Sequence, residues 1–116
     1  MTPVYERQSR RTAEYGARNL LRKHGYNAVR VTERDGALPS LFHLIAWNKM
    51  KRILFIRIGS LKMKETTFQD EIRLLVSSVQ TDGYPGEVQF WIGSDHCYRR
   101  YLILSGGAIR LKEPLP

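Results

Sequence analysis

The arginines are the side chains in this sequence with the clearest capacity to bind a ligand, and they are concentrated near the N-terminus. On a helix, Arg7, Arg11, Arg18 and Arg22 lie on one face at about 100° per residue, and Arg10 lies nearer the neighbouring apolar stripe. A guanidinium carries a permanent positive charge and five N–H donors, which suit the oxygens of phosphate groups. These side chains therefore predict a surface that binds anions.

The net charge of +8 is distributed unevenly along the chain. Residues 1–58 carry twelve Lys/Arg and four Asp/Glu, whereas residues 59–116 carry seven of each. Such asymmetry favours an anionic partner, with nucleic acid first and a membrane surface second. The alternative is a solvated basic face that only keeps the domain soluble.

The length and composition are typical of one small globular domain. The 116 residues, 42% of them apolar, suffice for one hydrophobic core, so we expect a single domain over residues 1–116. No apolar run reaches the roughly 18 residues that cross a bilayer, and no secretory signal is visible, so we expect a cytoplasmic protein without a membrane partner. The one cysteine, Cys97, cannot form an internal disulfide, and we expect it to be a buried, inert thiol.

Hydrophobic periodicity predicts two helices and five strands. Ala13, Ala17 and Leu21 recur at helical spacing, and Gly25 marks the end of that helix. The predicted elements are a helix over residues 6–24, strands over 26–32, 41–47 and 52–58, a helix over 67–81, and strands over 88–92 and 98–104. Residues 105–107 (Ser-Gly-Gly) are predicted to be a turn. This order favours the α/β class, with a mixed five-stranded sheet flanked by two helices.

Three segments give the chain a resemblance to a known superfamily. Residues 25–31 (Gly-Tyr-Asn-Ala-Val-Arg-Val) follow a helix with an internal acid; residues 38–46 contain Pro-Ser-Leu-Phe-His-Leu-Ile-Ala; residues 54–60 read Leu-Phe-Ile-Arg-Ile-Gly-Ser. In this order they resemble the PD-(D/E)XK, or restriction-endonuclease-like, superfamily, and within it the archaeal Holliday junction resolvases. The corresponding resolvase segments are Pro-Asp-Leu-Ile-Ala and Leu-Phe-Ile-Glu-Val-Lys-Ser. The resemblance covers residues 9–104 and implies a restriction-endonuclease-like fold.

The resemblance also implies an active site, which this sequence departs from. In the family an Asp and a Glu hold Mg²⁺, and a Lys helps to activate the attacking water. Here the helix acid is kept as Glu14, but the Asp position is His43, the Glu position is Arg57 and the Lys position is Gly59. Since a guanidinium cannot bind a cation, we expect no catalytic residues and no metal cofactor in this degenerate site. We expect Arg57 to pair with Glu14 instead.

Two other interpretations of the site stay open. His43 and Glu14 could share a softer Zn²⁺ or Mn²⁺ ion, although a hydrogen-bonded histidine is the simpler interpretation. Lys62 could replace the missing Lys, and Asp70 or Glu71 the missing carboxylate, which would keep a rearranged nuclease. No other catalytic set is apparent: the serines lack a His and an acid at suggestive spacing, and no Gly-rich phosphate loop is present.

Three functions follow as hypotheses. The first is an inactive nuclease-fold domain that binds DNA, including branched DNA, through phosphate contacts from seven arginines: Arg7, Arg10, Arg11, Arg18, Arg22, Arg30 and Arg34. The second is a residual metal-dependent nuclease. The third is a structural or protein-interaction scaffold, for which the resolvase resemblance allows a homodimer.

Overall fold

The computed structural model describes residues 4–31, 41–94, 97–113 and 115, and the side chains of all of these except 4–10 and 94. The helices are α1 (Val4–Lys23) and α2 (Glu65–Asp82). The strands are β1 (Asn27–Arg30), β2 (Leu44–Trp47), β3 (Ile53–Gly59), β4 (Glu87–Ser94), β5 (Cys97–Leu104) and β6 (Gly107–Leu111).

The six strands form one mixed sheet in sequence order. β3 and β4 are parallel neighbours, because α2 returns the chain to the end of the sheet at which β3 begins. Every other neighbouring pair of strands is antiparallel. The α/β class and the mixed sheet are thus confirmed. The expected number of five strands is wrong, since β6 adds a sixth at the edge.

The two helices cover opposite faces of this sheet. Ala13, Ala17 and Leu21 of α1 pack in one buried cluster with Leu54 and Ile56 of β3, among others. Leu75 of α2 packs in a second cluster on Val88, Phe90, Ile92 and Ile103. Because successive side chains of a strand point to opposite faces, the two clusters lie on either side of the sheet. We call these the α1 face and the α2 face.

A local signal explains where α1 ends. After α1, Gly25 has φ +86°, and Tyr26 N donates to Leu21 O at 3.0 Å while Gly25 N donates to Arg22 O at 3.1 Å. These two bonds form a Schellman motif, which requires the left-handed backbone that glycine adopts without strain. The predicted end of the first helix is therefore confirmed.

Cys97 is exposed at the first position of β5, so the expected buried thiol is wrong. Neither helix within the described ranges is long and apolar enough to cross a membrane.

Candidate functional site

Arg57 lies on the α2 face of β3. Its guanidinium binds both carboxylate oxygens of Glu71 on α2, through Nε to Oε2 and through Nη2 to Oε1 at 3.2 Å. The remaining terminal nitrogen donates to Leu41 O at 2.9 Å. The two side chains are 18% and 20% exposed, so this bidentate pair is largely shielded from water.

Glu14 lies on the other side of the sheet and has a different partner. Its carboxylate accepts from Arg30 Nε at 3.3 Å, and the residue is buried. The expected pair between Arg57 and Glu14 is therefore wrong. The physical reason is that α1 packs on the face of β3 that carries Leu54 and Ile56, whereas Arg57 projects towards α2.

His43 serves as a backbone cap rather than as a partner of Glu14 or Arg57. Its Nδ1 accepts a hydrogen bond from Ile58 N at 2.8 Å, and its own main chain bonds to Ile56 O and Val31 N. A hydrogen-bonded histidine was the simpler expectation, and it is confirmed. A ring whose Nδ1 accepts carries its proton on Nε2, so in this state neither ring nitrogen has a lone pair to offer a metal ion. Among the residues that the structure describes, no three His, Cys, Asp or Glu side chains are grouped so as to hold a metal.

Gly59 has no room for a side chain. A Cβ atom there would lie 2.8 Å from Phe90 Cζ and 2.9 Å from Met63 Cε. Both distances are shorter than real carbon contacts, so any larger residue would displace the core under α2. Lys62, the predicted substitute for a family lysine, is exposed in the turn between β3 and α2, where its amide donates to Ser60 Oγ at 3.1 Å.

Four of the seven predicted DNA-binding arginines have described side chains, and they lie along one edge of the α1 face. Arg11 and Arg22 are exposed on α1, and Arg18 is half-buried there. The Tyr15 ring contacts two guanidinium groups, with Arg18 Cζ at 4.8 Å and Arg30 Cζ at 4.5 Å from its centroid. Contacts with Tyr15 or with β1 thus fix Arg18, Arg22 and Arg30, and helical spacing places Arg11 on the same face of α1. We call these four arginines the α1–β1 basic surface.

Hydrogen bonds hold parts of this surface in place. Arg30 Nη1 donates to Tyr15 Oη at 2.9 Å, and Arg22 Nη2 donates to Ala28 O at 3.1 Å. The helix and the edge strand are therefore joined through the arginines themselves. The side chains of Arg7 and Arg10, and the whole of Arg34, lie outside the described residues.

Arg100 on β5 is a buried cation that the sequence reasoning missed. It is 8% exposed on the α1 face, where its Cζ lies 5.9 Å from the Trp91 ring and its Nη2 donates to Glu113 O. Burial lowers the pKa of Arg100, and the positive charge of Arg52 lowers it further, against an opposing influence of Tyr26. A signal did exist, because adjacent arginines on a strand, here Arg99 and Arg100, must point to opposite faces.

Comparisons with known proteins identify the fold. No protein-family model matches the chain, and no curated protein matches it in sequence. The structure is similar to that of Hjc, a Holliday junction resolvase from the archaeal hyperthermophile Archaeoglobus fulgidus, with a TM-score of 0.52 and 19% identity over 84% of each chain. It is also similar to SPO1766, a protein of unknown function from Silicibacter pomeroyi, with a TM-score of 0.50 and 14% identity over 90% of this chain and 74% of that one. The chain therefore has the restriction-endonuclease-like fold seen in an archaeal Holliday junction resolvase.

Proposed function

We propose that this protein binds DNA phosphates through the α1–β1 basic surface and that it does not cleave DNA by the metal-dependent route of the nuclease fold. The observation that carries the proposal is the clustering of Arg11, Arg18, Arg22 and Arg30 on a chain whose fold resembles that of a junction resolvase. Contacts of this kind give affinity without reading base sequence.

The arrangement of the cluster favours phosphate binding over a merely soluble surface. Tyr15 holds Arg18 and Arg30 against its ring, and Ala28 O holds one end of Arg22. Side chains fixed in this way lose less conformational freedom when they bind a ligand. Each guanidinium has five N–H donors, so it retains several for phosphate oxygens after these internal contacts.

The positions of the family's catalytic residues support the second half of the proposal. Arg57 carries a fixed positive charge where the family has a metal-binding Glu, and Glu71 and Leu41 O already occupy it. At Gly59 the side chains of Phe90 and Met63 fill the space that a catalytic Lys would need. Both oxygens of the Glu71 carboxylate are engaged by Arg57, so this carboxylate is not free to hold a metal ion there.

Fluorescence anisotropy with labelled DNA tests the binding proposal. We expect the double variant Arg11→Gln/Arg22→Gln to bind a duplex and a four-way junction at least about tenfold more weakly at roughly 50 mM salt, since each lost phosphate contact removes part of the electrostatic attraction. The matched control is Arg73→Gln/Arg110→Gln, which removes the same charge from exposed sites on α2 and β6. Equal weakening by both pairs would mean that net charge, not this surface, drives binding.

Incubation of a four-way junction with Mg²⁺ or Mn²⁺ tests the catalytic half. We expect no cleavage by the wild-type protein. Cleavage that Glu14→Ala or Lys62→Ala abolishes would instead support the rearranged nuclease. Absence of DNA binding in the anisotropy experiment would leave the scaffold hypothesis as the better account.

A further inference from the structure

A basic cavity of about 330 Å³ opens beside the C-terminal end of α1, on the face away from Arg57. Leu20 and His24 line it from α1, Tyr98 and Arg100 from β5, and Lys112 and Glu113 from the segment after β6. This volume is at the lower end of the range for small-molecule sites. We propose that the cavity binds a phosphate group, as the free ion or as a phosphomonoester.

Arg100 brings a positive charge to the buried wall of this cavity. Although the residue is 8% exposed, no carboxylate among the described residues lies within 4 Å of its guanidinium. Among the described residues, the one hydrogen-bond partner of the Arg100 guanidinium is the main-chain oxygen of Glu113. A buried charge without a counter-ion is unfavourable, so an anion that enters the cavity relieves an existing cost.

The remaining donors of Arg100 are available to such an anion. A guanidinium has five N–H donors, and only Nη2 has a partner in the described chain. Nε and Nη1 are not fully enclosed by protein atoms. The hydroxyl of Tyr26, by contrast, is buried without a partner in the described chain. Arg100 lines the cavity, and the planar fork of a guanidinium matches two oxygens of one phosphate.

The neighbouring side chains favour a doubly charged anion over a carboxylate. Lys112 and His24 add positive or protonatable groups at the rim, against the single carboxylate of Glu113. The cationic Arg52 also contributes to the field at Arg100. A site with this balance of charge attracts a phosphate dianion more strongly than a monoanion of similar size.

This inference does not depend on the proposed DNA-binding function. The cavity lies on the β5 side of α1, whereas the α1–β1 basic surface lies on the β1 side. The ligand could be a free phosphate compound or the terminal phosphate of a nucleic acid, because both present the same group. Competition with oligonucleotides separates these two sources.

The test is a titration of ¹⁵N-labelled protein with inorganic phosphate, with chloride added to keep the ionic strength constant. The two tryptophans provide a signal and an internal control. The Trp91 ring lies under Arg100 and its indole N–H donates to Gln89 Oε1 at 2.8 Å, so its resonance should shift and saturate. Trp47 is half-exposed on the α2 face of β2, and its indole resonance should not move.

Variants assign the effect to Arg100. We expect Arg100→Gln to weaken phosphate binding by about 10- to 100-fold, the range for a lost hydrogen bond to a charged group, and Arg73→Gln to leave it unchanged. If Arg100→Gln does not fold, Lys112→Gln, an exposed change, should weaken binding roughly two- to fivefold.

Two results would overturn the proposal: an absence of saturable shifts at Trp91, or equal binding by wild type and the Arg100 or Lys112 variant. If phosphate does saturate, competition by a 5′-phosphorylated oligonucleotide but not by its 5′-hydroxyl form identifies a nucleic-acid end as the source. Competition by neither oligonucleotide identifies a small phosphate compound.

Discussion

Arg57 is a strand cation whose counter-ion is supplied by a neighbouring helix. It lies on β3, and α2 supplies Glu71 as its partner. Both side chains are largely shielded from water, and two hydrogen bonds join them. Shielding strengthens the attraction, but it also makes the loss of either partner costly.

The Arg57–Glu71 pair should therefore be more strongly coupled than an exposed pair on the same helix. In a double-mutant cycle with Arg57→Ala and Glu71→Ala, we expect a coupling free energy of about 1–3 kcal/mol. The Arg73–Asp70 pair, at 3.6 Å and with side chains 79% and 73% exposed, should give less than about 0.5 kcal/mol. Urea denaturation of the six variants and the wild type measures both values. Equal coupling energies would show that burial of Arg57 does not stabilise its pair.

The lack of room at Gly59 should make a larger side chain there destabilising. We expect Gly59→Ala to lower the free energy of unfolding by about 1–3 kcal/mol, because its Cβ would press on Phe90 and Met63. The matched control is Gly106→Ala, where the added Cβ meets nothing within 4 Å and the change should stay within about 0.5 kcal/mol. Thermal or urea denaturation distinguishes them. A Gly59→Ala protein as stable as the wild type would mean that this site has room for a larger side chain.

The sequence was sufficient for part of the site and insufficient for the rest. Strand alternation correctly placed Phe55 and Arg57 on one face, because that period is a local property of the backbone. It did not say which helix covers that face, since this depends on how α2 crosses from β3 to β4. The partner of Arg57 was consequently predicted to be Glu14 on α1, when it is Glu71 on α2.

At the scale of elements, the strong periodic segments were predictable and the edge of the sheet was not. β3 and both helices were predicted to within a few residues, because each has a clear apolar face. β6 was missed because it is short and mostly exposed. A signal existed in the two-residue link Ser105–Gly106 between β5 and β6, which suits a tight hairpin, but the segment after it lacks the apolar alternation of a core strand.

The order of the strands predicts a gradient of local stability. Amides of the two central strands β3 and β4, such as those of the buried residues Ile56 and Phe90, should exchange with solvent most slowly, because the sheet and both helices cover them. Amides in β1 and β6 should exchange faster, since each strand is at an edge. Native-state hydrogen exchange measures this directly. Protection of β6 equal to that of β3 would contradict the assignment of β6 as a marginal edge strand.

At the scale of the whole molecule, the charge asymmetry of the sequence has a structural counterpart. Four cations of the first half of the chain, Arg11, Arg18, Arg22 and Arg30, lie on α1 and β1. Glu14 pairs with Arg30, so part of this charge is already neutralised within the fold. The composition predicted a basic half of the chain. The pairing of Arg30 with Glu14 depends on the packing of α1 against β1, so residue spacing in the sequence could not predict it.

The salt dependence of DNA binding tests the central claim most directly. Each phosphate contact contributes about −0.9 to the slope of log K against log salt concentration on duplex DNA. We predict that Arg11→Gln/Arg22→Gln makes this slope shallower by about 1.8, and that Arg73→Gln/Arg110→Gln leaves it unchanged. A slope that is the same in all three proteins would contradict the assignment of DNA binding to the α1–β1 basic surface.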